Sequence, residues 1–120
     1  MKDRRVERGK WGEALARKHL ESLGWQIVAM NWRCRSGEID IVAQDGSCLV
    51  FVEVRTRSST RFGFPAESVD WRKQRKVRQV ASVFLASNRV CTSRTRFDMI
   101  SIQMYENGQD PVLEHIQNAF

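Results

Sequence analysis

Residues 37–55 read GEIDIVAQDGSCLVFVEVR, and this stretch decides the fold. Glu38 to Gln44 alternates polar and apolar residues, as a half-buried strand does. Asp45-Gly46 is a hairpin signal. Cys48 to Thr56 is the next strand and the most central one. With Asp45-Gly46 as a two-residue turn, Gln44 faces Ser47, Asp40 faces Phe51 and Glu38 faces Glu53. Directly opposed residues share a sheet face, as do residues two apart. Glu38, Asp40, Glu53 and Arg55 are therefore predicted on one face, and Ile39, Ile41, Val50, Val52 and Val54 on a core-facing one. A one-residue slip would put the valines on the acidic face, so the register is well specified.

Outward from the hairpin, Arg4 to Leu23 reads as a helix stopped by Gly24. Trp25 to Trp32 reads as a strand, and Arg33 to Gly37 as a basic turn. Arg57 to Ala66, with Gly63 and Pro65, reads as a basic loop. Asp70 to Ser87 is a second long helix, with Val77, Val80, Ala81, Phe84 and Leu85 as its buried stripe. Arg96 to Ile102 reads as a fourth strand. Asn107-Gly108 marks a turn, and Leu113 to Phe120 is either a short edge strand or a packed tail. The order predicts a single α/β domain over residues 1–120, a mixed sheet of four to five strands flanked by helices.

Like charges crowded on a sheet face raise each other's pKa unless a cation compensates. Arg55 supplies part of that compensation, and a magnesium ion, which prefers carboxylate oxygens and water, would supply more. The plain alternative is an Asp/Glu–Arg network. Glu13 adds weight to a site. On the first helix it lies among Val6, Gly9, Ala16 and Leu20, inside the apolar stripe, where a carboxylate must find a partner. The small Gly9, Gly12 and Ala16 would let the helix approach the sheet and aim Glu13 at the acidic face. Its alternative is pairing with Arg17. Lys73 falls on the stripe of the second helix in its first turn, from where its stem can deliver an ammonium to the site. A solvent-exposed lysine is the competing expectation.

The chain has 120 residues, 42% hydrophobic and 28% charged, with a net charge of +6. Most of the positive charge is arginine, which forks onto phosphate oxygens. Arg33, Arg35, Arg57, Arg61, Arg72, Arg75 and Lys76 could flank a phosphate backbone, so nucleic acid is the expected partner. A solvated helix face is the alternative. Cys34, Cys48 and Cys91 lack metal-type spacing and are read as reduced thiols of a cytosolic protein. The charged start lacks the apolar run of a signal peptide. No stretch approaches the roughly 18 apolar residues of a membrane span. His19 and His115 show no partner pattern, and Asp98 is best read as a structural salt bridge. Trp11, Trp25, Trp32 and Trp71 are expected to pack the core.

Gly12-Glu13, Asn31-Trp32-Arg33-Cys34-Arg35, Gly37-Glu38-Ile39-Asp40 and Val50 to Arg57 together resemble the YraN-like family of small bacterial proteins. Arg61-Phe62-Gly63, Pro65-Ala66-Glu67, Lys73-Gln74-Arg75, Arg96-Phe97-Asp98 and His115-Ile116 continue the match over almost the whole chain. The resemblance implies the restriction-endonuclease-like fold of PD-(D/E)xK nucleases, similar to archaeal Holliday-junction resolvases. By position it implies that Glu13, Asp40 and Glu53 bind Mg2+ or Mn2+, helped by the Val54 carbonyl, and that residue 55 assists hydrolysis. It implies an endonuclease acting on DNA, including branched DNA, for which a two-fold dimer would suit paired cuts. The family usually has lysine at position 55. Arg55 keeps the charge but will not give up a proton, so Lys73 becomes a candidate substitute. A non-catalytic nucleic-acid-binding module and a protein-interaction scaffold are the competing expectations.

Overall fold

A computed structural model describes residues 4–58, 70–89 and 94–120. The elements are α1 (Arg4–Ser22), β1 (Gln26–Cys34), β2 (Gly37–Asp45), β3 (Cys48–Ser58), α2 (Trp71–Ser87), β4 (Thr95–Met104) and β5 (Val112–Ile116). The five strands form one sheet in the order β1-β2-β3-β4-β5. β3 is antiparallel to β2 and parallel to β4, and β5 closes the sheet as an antiparallel edge. The sheet is thus mixed, because the chain passes through α2 between β3 and β4 and returns in the same direction. The tail resolves as an edge strand over Val112–Ile116. Arg57 belongs to β3, not to a loop. Arg61, Gly63, Pro65 and Cys91 lie outside the described residues.

β3 runs Leu49, Val50, Phe51, Val52 and Glu53 without an exposed residue. A strand buried on both faces reads as a continuous apolar run. One face packs against α1, where Ala16, Leu20 and Trp25 meet Ile41, Ala43, Val50, Val52, Ile100 and Ile102. The other packs against α2, where Val77, Val80, Ala81 and Phe84 meet Val42, Leu49, Phe51 and Phe97. Both faces are therefore core, where the sequence reading assigned the core to one. Phe51 stacks on Phe97 and meets Phe84 edge-on.

α2 starts at Asp70, whose carboxylate accepts from the Arg72 amide at 2.7 Å. This bond satisfies one of the unpaired N–H groups at the helix start. α1 departs from its expected stripe: Val6 is exposed, and the residues that bury are Gly12, Ala16 and Leu20. Gly12 permits that approach. A Cβ there would collide with Thr56 Oγ1, and even with Thr56 turned, its Cβ would stay in tight contact at 3.1 Å. Gly12→Ala should lower stability by about 1–3 kcal/mol despite the better helix propensity of alanine. Thermal melting should record the loss, and Thr56→Ala in the same chain should recover part of it.

The hairpin turn is Gly46-Ser47, with Gly46 at φ 59° and Asp45 paired to Cys48. The β2–β3 ladder continues through Val42↔Phe51 to Ile41↔Val52. It is displaced by two residues from the predicted pairing, so Asp40 does not face Phe51. A shift of two preserves the side-chain faces, and so most of the face assignment stands. Cys34 and Cys48 are free, half-buried thiols. No helix among the described residues is long and apolar enough to cross a membrane.

Candidate active site

The pairing around Asp40 is incomplete on both sides. Asn31, at φ 51°, is skipped between Met30↔Ile41 and Trp32↔Ile39, and the β1–β2 ladder resumes in the same register. Asparagine is among the few residues that tolerate this left-handed conformation. On the other side the β2–β3 ladder ends at Ile41↔Val52. Side chains take over where the ladder stops: the Asp40 amide donates to Glu53 Oε2 at 3.3 Å, and the Val54 amide donates to Asp40 Oδ2 at 2.8 Å. A buried amide needs an acceptor, and here the two carboxylates supply it.

The break also disturbs the alternation. Ile39 packs in the α2-side core, although Ile41 lies on the α1 side. The acidic residues consequently divide. Asp40, Glu53, Val54, Arg55, Lys73 and Met99 line one cavity of about 100 Å³. Glu13 and Glu38 line a wider cleft of about 420 Å³ with Val6, Gly9, Lys10, Asn31 and Arg33. Glu38 does not join Glu53, contrary to the face prediction. Asp40 links the two groups, because its charge acts on both Glu13 and Glu53.

Glu53 is the most perturbed acid of the site. Burial, and then the Asp40 carboxylate, push its pKa up to about 7, and Lys73 opposes them. Lys73 Nζ stands 3.1 Å from Glu53 Oε1, with the lysine side chain 51% and the glutamate side chain 5% exposed. The ammonium is the group that faces this buried oxygen and opposes the rise in its pKa. Glu13 also holds its proton above the usual carboxylate range, through burial and then Asp40, while a hydrogen bond from Asn31 pulls the other way. Arg17 pairs with Glu21 at 3.7 Å.

The donor set suits a hard cation. Magnesium binds one or two carboxylates and keeps several waters, and it rarely occupies an all-protein cage. Asp40 and Glu53 provide two carboxylates in one small cavity, with Lys73 facing Glu53 Oε1. Among the described residues no group of three His, Cys, Asp or Glu is arranged around a single ion position. Glu13 sits in the neighbouring cleft instead of the Glu53 cavity.

The nucleic-acid candidates Arg33, Arg35, Arg57, Arg72, Arg75 and Lys76 are all exposed. Arg33 pairs with Glu38 at 3.2 Å. The Lys76 stem packs over Gly37, close enough that a Cβ there would lie 3.3 Å from Lys76 Cε. That contact sets Lys76 beside the tight turn between β1 and β2; Arg33, expected in that turn, belongs to β1 and pairs with Glu38. Arg61 lies outside the described residues.

A second polar cluster went unseen in the sequence. His19 Nε2 lies 3.0 Å from His115 Nδ1, and His115 Nε2 lies 2.8 Å from Asp98 Oδ2. Arg96 clasps Asp98 through two bonds of 2.8 and 3.0 Å, and the Asn118 amide donates to Asp98 Oδ1 at 3.0 Å. The two histidines therefore do have partners, and Asp98 is the salt-bridge residue expected. They are 96 residues apart, and nothing local in the sequence pairs them. The tryptophans also divide: Trp25 is buried, whereas Trp11 and Trp71 are exposed and do not pack the core.

An open mixed sheet with one helix on each face and an acidic cavity at a break in its central strands is a three-layer α/β arrangement consistent with a nuclease-like fold. Residues 12–102 match the family described as "Uncharacterised protein family UPF0102", the YraN-like family, and the chain belongs to it. It is 46% identical to a UPF0102 protein of Frankia casuarinae over 93% of this chain and 94% of the relative. It is 48% identical to one of Geobacter metallireducens, over 93% and 90% of the two chains. A relative from Caldanaerobacter subterraneus is 42% identical over 93% of each chain.

Proposed function

We propose that this protein is a divalent-cation-dependent endonuclease acting on DNA, including branched or structured DNA. The observation that carries the proposal is Glu53: a buried carboxylate beside Asp40, its pKa pushed up to about 7, with a lysine ammonium 3.1 Å away. Carboxylates whose pKa is strongly shifted by burial and a like-charged neighbour cluster at functional sites. Asp40 and Glu53, with the Val54 carbonyl, would hold Mg2+ or Mn2+, and Glu13 bears on the site through Asp40. Such an ion supplies a polarised phosphoryl oxygen and a more acidic water.

The chain's own groups do the rest. Lys73 balances the acidic pair before substrate arrives. When a phosphate enters, Lys73 and Arg55 face the negative charge that grows on it during attack, where fixed cations stabilise most effectively. The exposed arginines flanking the site hold the backbone in register. Arg55 cannot shuttle a proton, so the water's proton leaves through solvent or through Glu53.

Cleavage of labelled branched and linear DNA with Mg2+ tests the proposal. Wild type should cut, and Asp40→Asn and Glu53→Ala should fall by about a hundredfold or more. Equal background from all three proteins would reject catalysis.

Arg55 favours a second reading, a nucleic-acid-binding module that has kept the fold without the chemistry. That reading requires strongly salt-dependent binding and no cleavage. The two readings separate at Arg55→Lys. An active site tuned by this residue should gain about tenfold in rate with the proton-exchanging lysine, whereas a binding module should show no cleavage with either residue.

A further inference from the structure

Trp71 opens α2 with 64% of its surface exposed, the most exposed of the large apolar side chains among the described residues. Such exposure forfeits the burial that an indole normally contributes, and tryptophan is enriched where molecules meet. Its surroundings are cationic. The Arg72 guanidinium lies 5.7 Å from the ring centroid, and Arg72, Lys73, Arg75 and Lys76 are all exposed. Lys73, two residues on, reaches Glu53. At about 100° per residue the Trp71 and Lys73 side chains leave opposite sides of the helix, so the indole shares the outer, solvent face of α2 with Arg75, one turn on.

We propose that Trp71 is a stacking platform for an unpaired base on the cationic outer face of α2, and that it directs the protein to substrates with single-stranded character next to a duplex. The proposal rests on the nucleic-acid reading above. Its chemistry is separate from phosphate binding. The cations attract any polyanion, and they do not distinguish paired from unpaired strands. An aromatic face does, because an unpaired base offers a free π-surface and a base inside a duplex does not. Trp71 would therefore supply structure selectivity while Arg72, Arg75 and Lys76 supply affinity.

The test is equilibrium binding without divalent cation, so that catalysis plays no part. The probes are a fluorescein-labelled blunt duplex and a forked duplex with 2-aminopurine at the first unpaired position. Trp71→Ala should bind the fork about tenfold more weakly and the blunt duplex within about twofold of wild type. Trp71→Phe should keep most of the fork affinity, and wild type should quench 2-aminopurine where Trp71→Ala does not. Because the side chain is exposed, the variant should melt within about 2 °C of wild type. Equal losses on both probes, or none, would overturn the stacking role and leave the nucleic-acid reading standing. Failure of wild type to bind either probe would overturn both. Trp71-dependent binding of polyglutamate with no preference for the fork would mark a protein-facing surface and overturn the proposal.

Discussion

Replacing Glu53 by glutamine should make the protein more stable and, on the proposed nuclease reading, abolish cleavage of DNA. In the unfolded chain this carboxyl ionises near 4.5, and in the fold it keeps its proton until about pH 7. Between those values the folded state binds more protons than the unfolded state, so stability falls as pH rises. The loss is complete above about pH 7, where the folded site must carry the charge. Glutamine never ionises, and it can still accept from the Asp40 amide that now bonds Oε2 at 3.3 Å. At pH 8 it should therefore raise stability by about 1–3 kcal/mol, and near pH 4 the difference should vanish. Lys73 loses its ion pair but is half exposed, so water takes over its solvation and the cost is small. Denaturant titrations of both proteins at the two pH values check this. Gain of stability together with loss of activity is the mark of a residue kept for chemistry.

Asp98→Ala should be the most destabilising single change outside the apolar core, by about 3–5 kcal/mol. The carboxylate has no exposed surface. It is held by Arg96, His115 and the Asn118 amide together, and its loss would strand each of them. Burial alone would push its pKa up, but the bonds from His115, Arg96 and Asn118 outweigh burial and hold it below 3.8. The stability this brings is present above pH 3.8 and disappears as pH falls through the lower folded value. The cluster also ties the end of α1, through His19, to β5, and the Ala119 amide to Phe97 O lies close by at 2.7 Å. Urea melts at pH 7 should show the drop. Asp98→Asn should lose less, because the shape and part of the bonding survive.

Local pattern carried much of this fold. α2 was legible because Val77, Val80, Ala81 and Phe84 recur at helical spacing, and the same stripe placed Lys73 where it meets Glu53. The strands were legible from alternation and from their apolar runs. The hairpin register was not, since Asp45 pairs in the ladder and the turn begins at Gly46. The displacement by two residues left the faces intact, so Asp40, Glu53 and Arg55 could be brought together from sequence. Alternation fails at Asp40 itself, where Asn31 is skipped in one ladder and a carboxylate replaces the other. Parity cannot register such a break, and for that reason it put Glu38 with Glu53; Glu13, placed by its helical stripe, lines the adjoining cleft with Glu38. The His19–His115 contact and the exposure of Trp71 depend on long-range packing, which leaves no local signal.

The central claim is that Asp40 and Glu53 form a divalent-cation site. Mn2+ binding at pH 8, followed by electron paramagnetic resonance on the intact protein, tests it without substrate. Wild type should take up one ion saturably, and Asp40→Asn, melting normally, should bind it roughly tenfold or more weakly. Absence of saturable uptake by wild type, or equal uptake by the variant, would contradict the claim.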